Sequence, residues 1–188
     1  MFESFEELED AINNCEKCGL CKNRKNVVIG CGNKNADIMI VGEGPSSEDD
    51  IQGIPFVGLS GKLMDQAFEG VGINKENIYI TNVSKCKAFQ GKELSEEETK
   101  ACLDYLRNQV NLVKPKIVVL LGKVALTNII GKEYSITNER GKIIELGGML
   151  FIPTYHPAAL LRDESKKIDF WNDLKLVVEK AKELNILF

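Results

Sequence analysis

Histidine is almost missing from this chain. Its 188 residues include one, His156, alongside one tryptophan and five prolines. Any chemistry that needs an imidazole must therefore pass through residue 156. No run approaches the roughly eighteen uninterrupted apolar residues of a membrane span. Basic charge is not in excess: the formal net charge of −4 withholds the general attraction to polyanions that a basic protein has. Contact with nucleic acid would have to come from local clusters, and the candidates are Lys22, Arg24 and Lys25; Lys85, Lys87 and Lys92; and Arg162, Lys166 and Lys167. The N-terminal "MFESFEELEDAINN" has neither a basic n-region nor an apolar h-region, so no cleaved leader is expected and a cytoplasmic location is. A G-x-x-x-x-G-K-[ST] pattern is absent, which disfavours a nucleotide P-loop. With no internal repeat and no low-complexity linker, residues 1–188 are expected to form one domain.

Four apolar runs of strand length stand out: "DIMIVG" (37–42), "IYITNV" (78–83), "KIVVLLG" (116–122) and "MLFIPTYH" (149–156). Each is continuous rather than alternating, the pattern of strands covered on both faces in a parallel sheet. Helical periodicity fills the spaces between them, over 4–14, 60–71, 95–113, 123–130 and 169–184. Ser95 and Glu98 have the spacing of a capping box, and acidic residues crowd the first turn after Ser95. "KIIELGGML" (142–150) reads as a small hairpin into the last strand. The alternation predicts a three-layer α/β/α sandwich around a mostly parallel sheet of about four strands. In such folds ligands lie at the carboxyl ends of strands. The unusual residues fall there: "GEGPS" after the first strand, Asn82 near the end of the second, Gly122 after the third and His156 at the end of the fourth.

Each motif alone also fits a structural role. Gly42, Gly44 and Pro45 make a tight turn that would let a ligand approach the backbone. Phe56, on a loop between Pro55 and Gly58, is either core or a platform for a planar base. Asn82 sits in an apolar strand, where an amide is costly unless paired. The six cysteines of a cytoplasmic chain are poor candidates for disulfides. Cys15 and Cys18 form C-x2-C, Cys21 repeats the spacing, and Cys86 and Cys102 lie near a strand end and early in a helix. A four-thiolate metal site fits this set, and spacing does not separate zinc from an iron–sulfur cluster. Cys21 and Cys31 are the spares.

Taken in order, "VVIGCG", "VGEGPSSEDDIQGIPFVGLSGKLMD", "IYITNVSKCK", "EEETKACLDYL", "IVVLLGKVA" and "TYHPAALLR" resemble the iron–sulfur, or family 4, uracil-DNA glycosylases of bacteria and archaea, from about Cys15 to Leu161. Three features depart from the family pattern. Ser46 replaces the last glycine of the first motif, Asp49 and Asp50 stand for a Glu-Asp pair, and "KAFQGKEL" replaces a proline-containing loop after Cys86.

The resemblance implies a repair enzyme that flips uracil out of DNA and hydrolyses its N-glycosidic bond. The alternative is a non-catalytic iron–sulfur module that binds DNA or serves a polymerase. The resemblance further implies a 4Fe-4S cluster on Cys15, Cys18, Cys86 and Cys102, and a uracil pocket of Gly42, Glu43, Gly44, Phe56, Asn82 and His156. His156 would stabilise the departing base, and Glu43 or a backbone-held water would serve hydrolysis. Gly44 stands where many other uracil glycosylases carry an aspartate, and the Glu43 region would exclude the thymine methyl. In the "HPAALLR" loop, stiffened by Pro157, Leu160 or Leu161 would wedge into the base stack while Arg162 holds a phosphate. The expected partner is uracil-containing DNA, single- or double-stranded, met by a monomer with no membrane attachment.

Overall fold

A computed structural model describes residues 2–89 and 92–188. Gln90 and Gly91, in the middle of "KAFQGKEL", lie outside the described residues. Among the described residues six strands form one sheet: β1 (Cys31–Gly32), β2 (Ile38–Gly42), β3 (Ile78–Asn82), β4 (Ile117–Leu121), β5 (Ile144–Leu146) and β6 (Met149–Thr154), in the order β1-β3-β2-β4-β6-β5. The central four, β3-β2-β4-β6, are parallel, and they are the four apolar runs. Two short antiparallel strands complete the edges, β1 on β3 and β5 on β6, raising the expected count of about four to six. The hairpin over 142–150 forms as β5 and the start of β6, turning at Gly147 and Gly148, both at positive φ.

The eight helices of the described residues are α1 (Phe5–Asn13), α2 (Ser47–Gln52), α3 (Leu59–Val71), α4 (Glu96–Val113), α5 (Gly122–Ile129), α6 (Ile136–Glu139), α7 (Pro157–Arg162) and α8 (Lys166–Glu183). Alternation along the strands divides the core. Ile38, Ile40, Ile78, Ile80, Ile117 and Val119 face α3 and α8 through Met64, Phe68, Phe170 and Leu174. Met39, Val41, Tyr79, Val118 and Leu120 face α4 and α5 through Leu106, Val113, Ala125 and Leu126. Strands buried on both faces explain why their sequences show no polar alternation. The capping box at Ser95 forms in both directions, with Ser95 Oγ accepting from Glu98 N–H at 3.2 Å and Ser95 N–H donating to Glu98 Oε2 at 2.8 Å.

The chain leaves β2 toward β3 on one side and leaves the adjacent β4 toward β6 on the other. Such a reversal opens a crevice beyond the strand ends, the usual ligand position in open α/β sheets. None of the described helices is long and apolar enough to cross a membrane.

Candidate active site

Four segments meet at that crevice. Beyond the sheet, the backbones after β2 and β3 stay paired: Val83 N–H donates to the Gly42 carbonyl at 2.9 Å and Ser84 N–H to the Glu43 carbonyl at 3.0 Å. This holds Glu43 and Gly44 beside the end of β3, where Asn82 points its amide toward Gly42. A Cβ at Gly42 would overlap Asn82 Oδ1 and stand 2.6 Å from Phe56 Cζ. The absent side chain is what lets ring and amide sit together. Asn82 is 1 % exposed, yet neither Oδ1 nor Nδ2 has a hydrogen-bond partner among the described residues. A buried amide left unpaired at both ends costs on the order of a few kcal/mol, so it calls for a partner that the fold itself does not supply.

Phe56 is held in an unusual backbone state, with φ +58°, where a bulky residue is strained. Two features enforce it. A Cβ at Gly61 would overlap the Phe56 carbonyl, so α3 packs directly on the turn. Asp49 supplies the second constraint. Its Oδ1 accepts from Val57 N–H at 2.9 Å, while its Oδ2 accepts from Ser46 N–H at 3.0 Å. One carboxylate thus caps α2 and ties the "GEGPS" turn to the Phe56 loop. The S-x-x-D spacing of Ser46 and Asp49 is the sequence signal of this capping box. The neighbouring Asp50 accepts from Lys25 N–H at 2.9 Å, fastening the cysteine-rich loop.

His156 follows β6 and forms the N-cap of α7, with Pro157 in the first turn. "HPAALLR" is therefore a short helix rather than the expected loop: proline presets its first turn, and the imidazole supplies the cap. His156 Nδ1 accepts from Ala158 N–H at 3.1 Å, which leaves the proton of the neutral ring on Nε2. The ring lies beside Phe56, with centroids 5.7 Å apart and planes 29° from parallel. Burial lowers its pKa to about 4; Arg162 adds to the shift and Asp49 opposes it. At neutral pH the site holds a neutral N–H donor. The end of β6 is anchored by Thr154, whose Oγ1 donates to Asp173 Oδ2 at 2.6 Å within an ion pair to Arg140.

Glu43, Gly44, Pro45, Phe56, His156 and Arg162 line a single cavity of ≈ 310 Å³, closed on another side by Ala88 and Leu94. That volume suits one small planar ligand. Burial raises the Glu43 pKa, Glu93 adds to the rise, and Arg162 counters it. A separate apolar groove of ≈ 250 Å³ between α4, α5 and β6 contains none of the residues singled out in the sequence.

Two expectations fail on burial. Leu160 is 1 % exposed and belongs to the core against α3 and α8, so it cannot enter a base stack; Leu161 beside it is 49 % exposed. Lys85 is no surface cation. Its Nζ is fully buried and donates to Asn82 O at 2.6 Å, Gln109 Oε1 at 2.6 Å and Thr81 Oγ1 at 2.8 Å. Nothing in the local sequence distinguishes it from half-buried Lys87 and exposed Lys92.

Thiols gather at a second place, below the loop after β3. Cys15, Cys18, Cys21, Cys86 and Cys102 line one small pocket, whereas Cys31 stands apart. Among the described residues no three His, Cys, Asp or Glu side chains converge to hold a single ion. Burial raises the Cys86 thiol to about 11, opposed by Arg24, whose Nη1 lies 3.5 Å from the sulfur. Burial also raises Cys18.

The model of the uracil DNA glycosylase superfamily matches residues 29–175. The type-4 uracil-DNA glycosylase of Thermotoga maritima is 41 % identical over 186 residues, covering 96 % of this chain and 94 % of that protein. The type-4 uracil-DNA glycosylase of Archaeoglobus fulgidus is 35 % identical over 185 residues, 94 % of this chain and 93 % of that protein. A DNA polymerase of Bacillus phage SP01 is 30 % identical over 149 residues, 79 % of this chain but 16 % of its own length.

Proposed function

This chain belongs to the uracil-DNA glycosylase superfamily, and from that premise we propose that it excises uracil from DNA in the cavity lined by Glu43, Phe56 and His156, with the Asn82 amide buried behind that lining beside Phe56. The reaction is hydrolysis of an N-glycosyl bond, which releases free uracil and leaves an abasic site. The observation that carries the site assignment is Asn82, a buried amide with no partner at either end among the described residues. Uracil supplies both partners: its N3–H donates to Oδ1 and its O4 accepts from Nδ2. Cytosine presents the reverse pattern and leaves both pairs unmade, a mismatch that can reject a competitor by about 10⁴-fold or more.

A base inside a duplex is out of reach of this cavity, so the nucleotide must rotate out at a cost of a few kcal/mol. Leu161, exposed on α7, is placed to fill the gap, and Arg162 to meet a phosphate. Phe56 then stacks on the base, an interaction worth about 1–3 kcal/mol. As the glycosidic bond breaks, negative charge gathers on uracil O2. His156 donates its Nε2–H to that oxygen, acting as a preorganised donor and keeping its proton. Because the ring is neutral to begin with, it stabilises the leaving anion by a hydrogen bond and not by a full charge. Of the two carboxylates on the wall, Asp49 has an oxygen committed to each of two backbone N–H groups. Glu43 is left to hold the attacking water and to crowd a 5-methyl group.

The residues around the thiol pocket also fit a 4Fe-4S cluster on Cys15, Cys18, Cys86 and Cys102. Four cysteines on one pocket are the donor set that such a cluster takes. Such a cluster supplies a structural crosslink. Cys86 and Cys102 flank the stretch that brings Ala88 and Leu94 to the cavity, so fixing both ends shapes that wall.

The test is a labelled oligonucleotide carrying one uracil, with cytosine and thymine controls. Strand scission at the uracil after alkali, and none in the controls, is the expected result. Tight binding with no scission would leave the non-catalytic, polymerase-associated reading in place.

A further inference from the structure

Arg24 is the one cationic side chain, among the described residues, that is hydrogen-bonded to a cysteine sulfur. Its Nη1 donates to the Cys15 carbonyl at 2.8 Å and reaches Cys86 Sγ at 3.5 Å; its Nη2 donates to the Asn13 carbonyl at 3.2 Å. One planar group therefore joins the end of α1, the first cysteine of C-x2-C, and a thiol 62 residues further along the chain than Arg24 itself. The side chain is half-buried and lines the thiol pocket. Lys22 and Lys25, the other members of its charge cluster, are exposed.

We propose that Arg24 is a positioning residue for the metal–thiolate group and not a DNA contact. It sets the separation of Cys15 and Cys86, and its N–H···S bond offsets thiolate charge. The proposal rests on the four-thiolate reading above. The chemistry favours arginine because its donors are fixed in a plane and its charge persists at any working pH. A lysine at this position would keep the charge but could not reach three acceptors in that arrangement. Hydrogen bonds to cluster sulfurs tune both the potential and the hold on iron, and outer partners of metal ligands are worth about 10- to 100-fold in affinity.

The experiment compares anaerobically purified wild type with Arg24→Gln and Arg24→Lys. Iron and acid-labile sulfide are counted per chain. The bleaching rate of the visible chromophore in air, the reduction potential, and the salt dependence of DNA binding are then measured. We expect Arg24→Gln to bleach at least about 10-fold faster than wild type, with a more negative potential, and Arg24→Lys to fall between. The slope of log affinity against log salt should not change. Bleaching and potential equal to wild type in the glutamine variant would overturn the proposal. So would a salt slope shallower by about 0.9 with the chromophore unaffected, which is the mark of one lost phosphate contact. Wild type free of iron and sulfide would refute the four-thiolate reading itself, before any variant is compared. Should Arg24→Gln prove insoluble, the potential and bleaching rate of Arg24→Lys decide between the same alternatives.

Discussion

Replacing Gly42 with alanine adds one methyl group at the point where the recognition amide and the stacking ring meet. The new Cβ would stand 2.6 Å from Phe56 Cζ and 3.1 Å from Phe56 Cε2, and would overlap Asn82 Oδ1. Ordinary carbon–carbon contact is about 3.5–4.0 Å, so ring or amide must retreat by about 1 Å. Phe56 has little freedom to do so. Its turn is held by Asp49 through Val57 N–H and by the packing of Gly61 against its carbonyl. The backbone at Gly42 is ordinary strand, so the alanine brings crowding without a forbidden φ. Overpacking of this kind costs about 1–3 kcal/mol in stability, which the fold should survive. A displacement of about 1 Å at reacting groups, however, costs on the order of 100-fold in rate. The assay is single-turnover excision from a uracil oligonucleotide at saturating enzyme, with a thermal melt on the same preparation. A rate within a factor of two or three of wild type would mean that ring and amide do not jointly grip the base, and the pocket assignment would be wrong.

Asn82→Asp removes the Nδ2–H donor to uracil O4, and kcat/KM for uracil should drop on the order of 10⁴-fold; unchanged preference for uracil over cytosine would show that the amide does not read the base. The two leucines of α7 should separate cleanly. Leu160→Ala empties a core position and should cost about 2–5 kcal/mol in thermal unfolding, whereas Leu161→Ala should leave stability within about 0.5 kcal/mol and slow excision from duplex more than from single strands. Equal effects on both substrates would remove Leu161 from the flipping step. Burial holds His156 near a pKa of about 4, below its ordinary value. Between about pH 6.5 and 4 the unfolded chain takes up a proton that the folded chain refuses, so stability should decline as pH falls through that window and level off below it. A His156→Ala protein with the same acid slope would trace the loss to other groups.

The parallel core was readable because each of its strands is buried on both faces and so appears as an unbroken apolar run. The capping box at Ser95 and the gathering of Glu43, Phe56, Asn82 and His156 at one sheet edge were readable for similar local reasons. What escaped depends on neighbours distant in sequence. Two-residue β1 has no pattern of its own and exists because Cys31 and Gly32 lie against Ile80 and Tyr79. Lys85 looks like exposed Lys92, and Leu160 like exposed Leu161, until α4 and α8 cover them. Arg24 reads as one of three surface cations, and only the fold brings Cys86 to it. Asp49 was visible as a departure from the family's pattern, but its grip on two loops depends on Val57 arriving from the other side of α2.

Stabilisation of the departing base turns on a neutral imidazole, protonated on Nε2, at the uracil pocket. Because the chain has a single histidine, a nitrogen-15 spectrum of its imidazole, followed against pH, reads that residue alone. The Nε2–H neutral tautomer should persist from pH 8 down through 5, with protonation setting in only toward about 4, and the Nε2 resonance should move when uracil is added. A ring that titrates near the ordinary 6.5, or carries its neutral-form proton on Nδ1, would contradict the account.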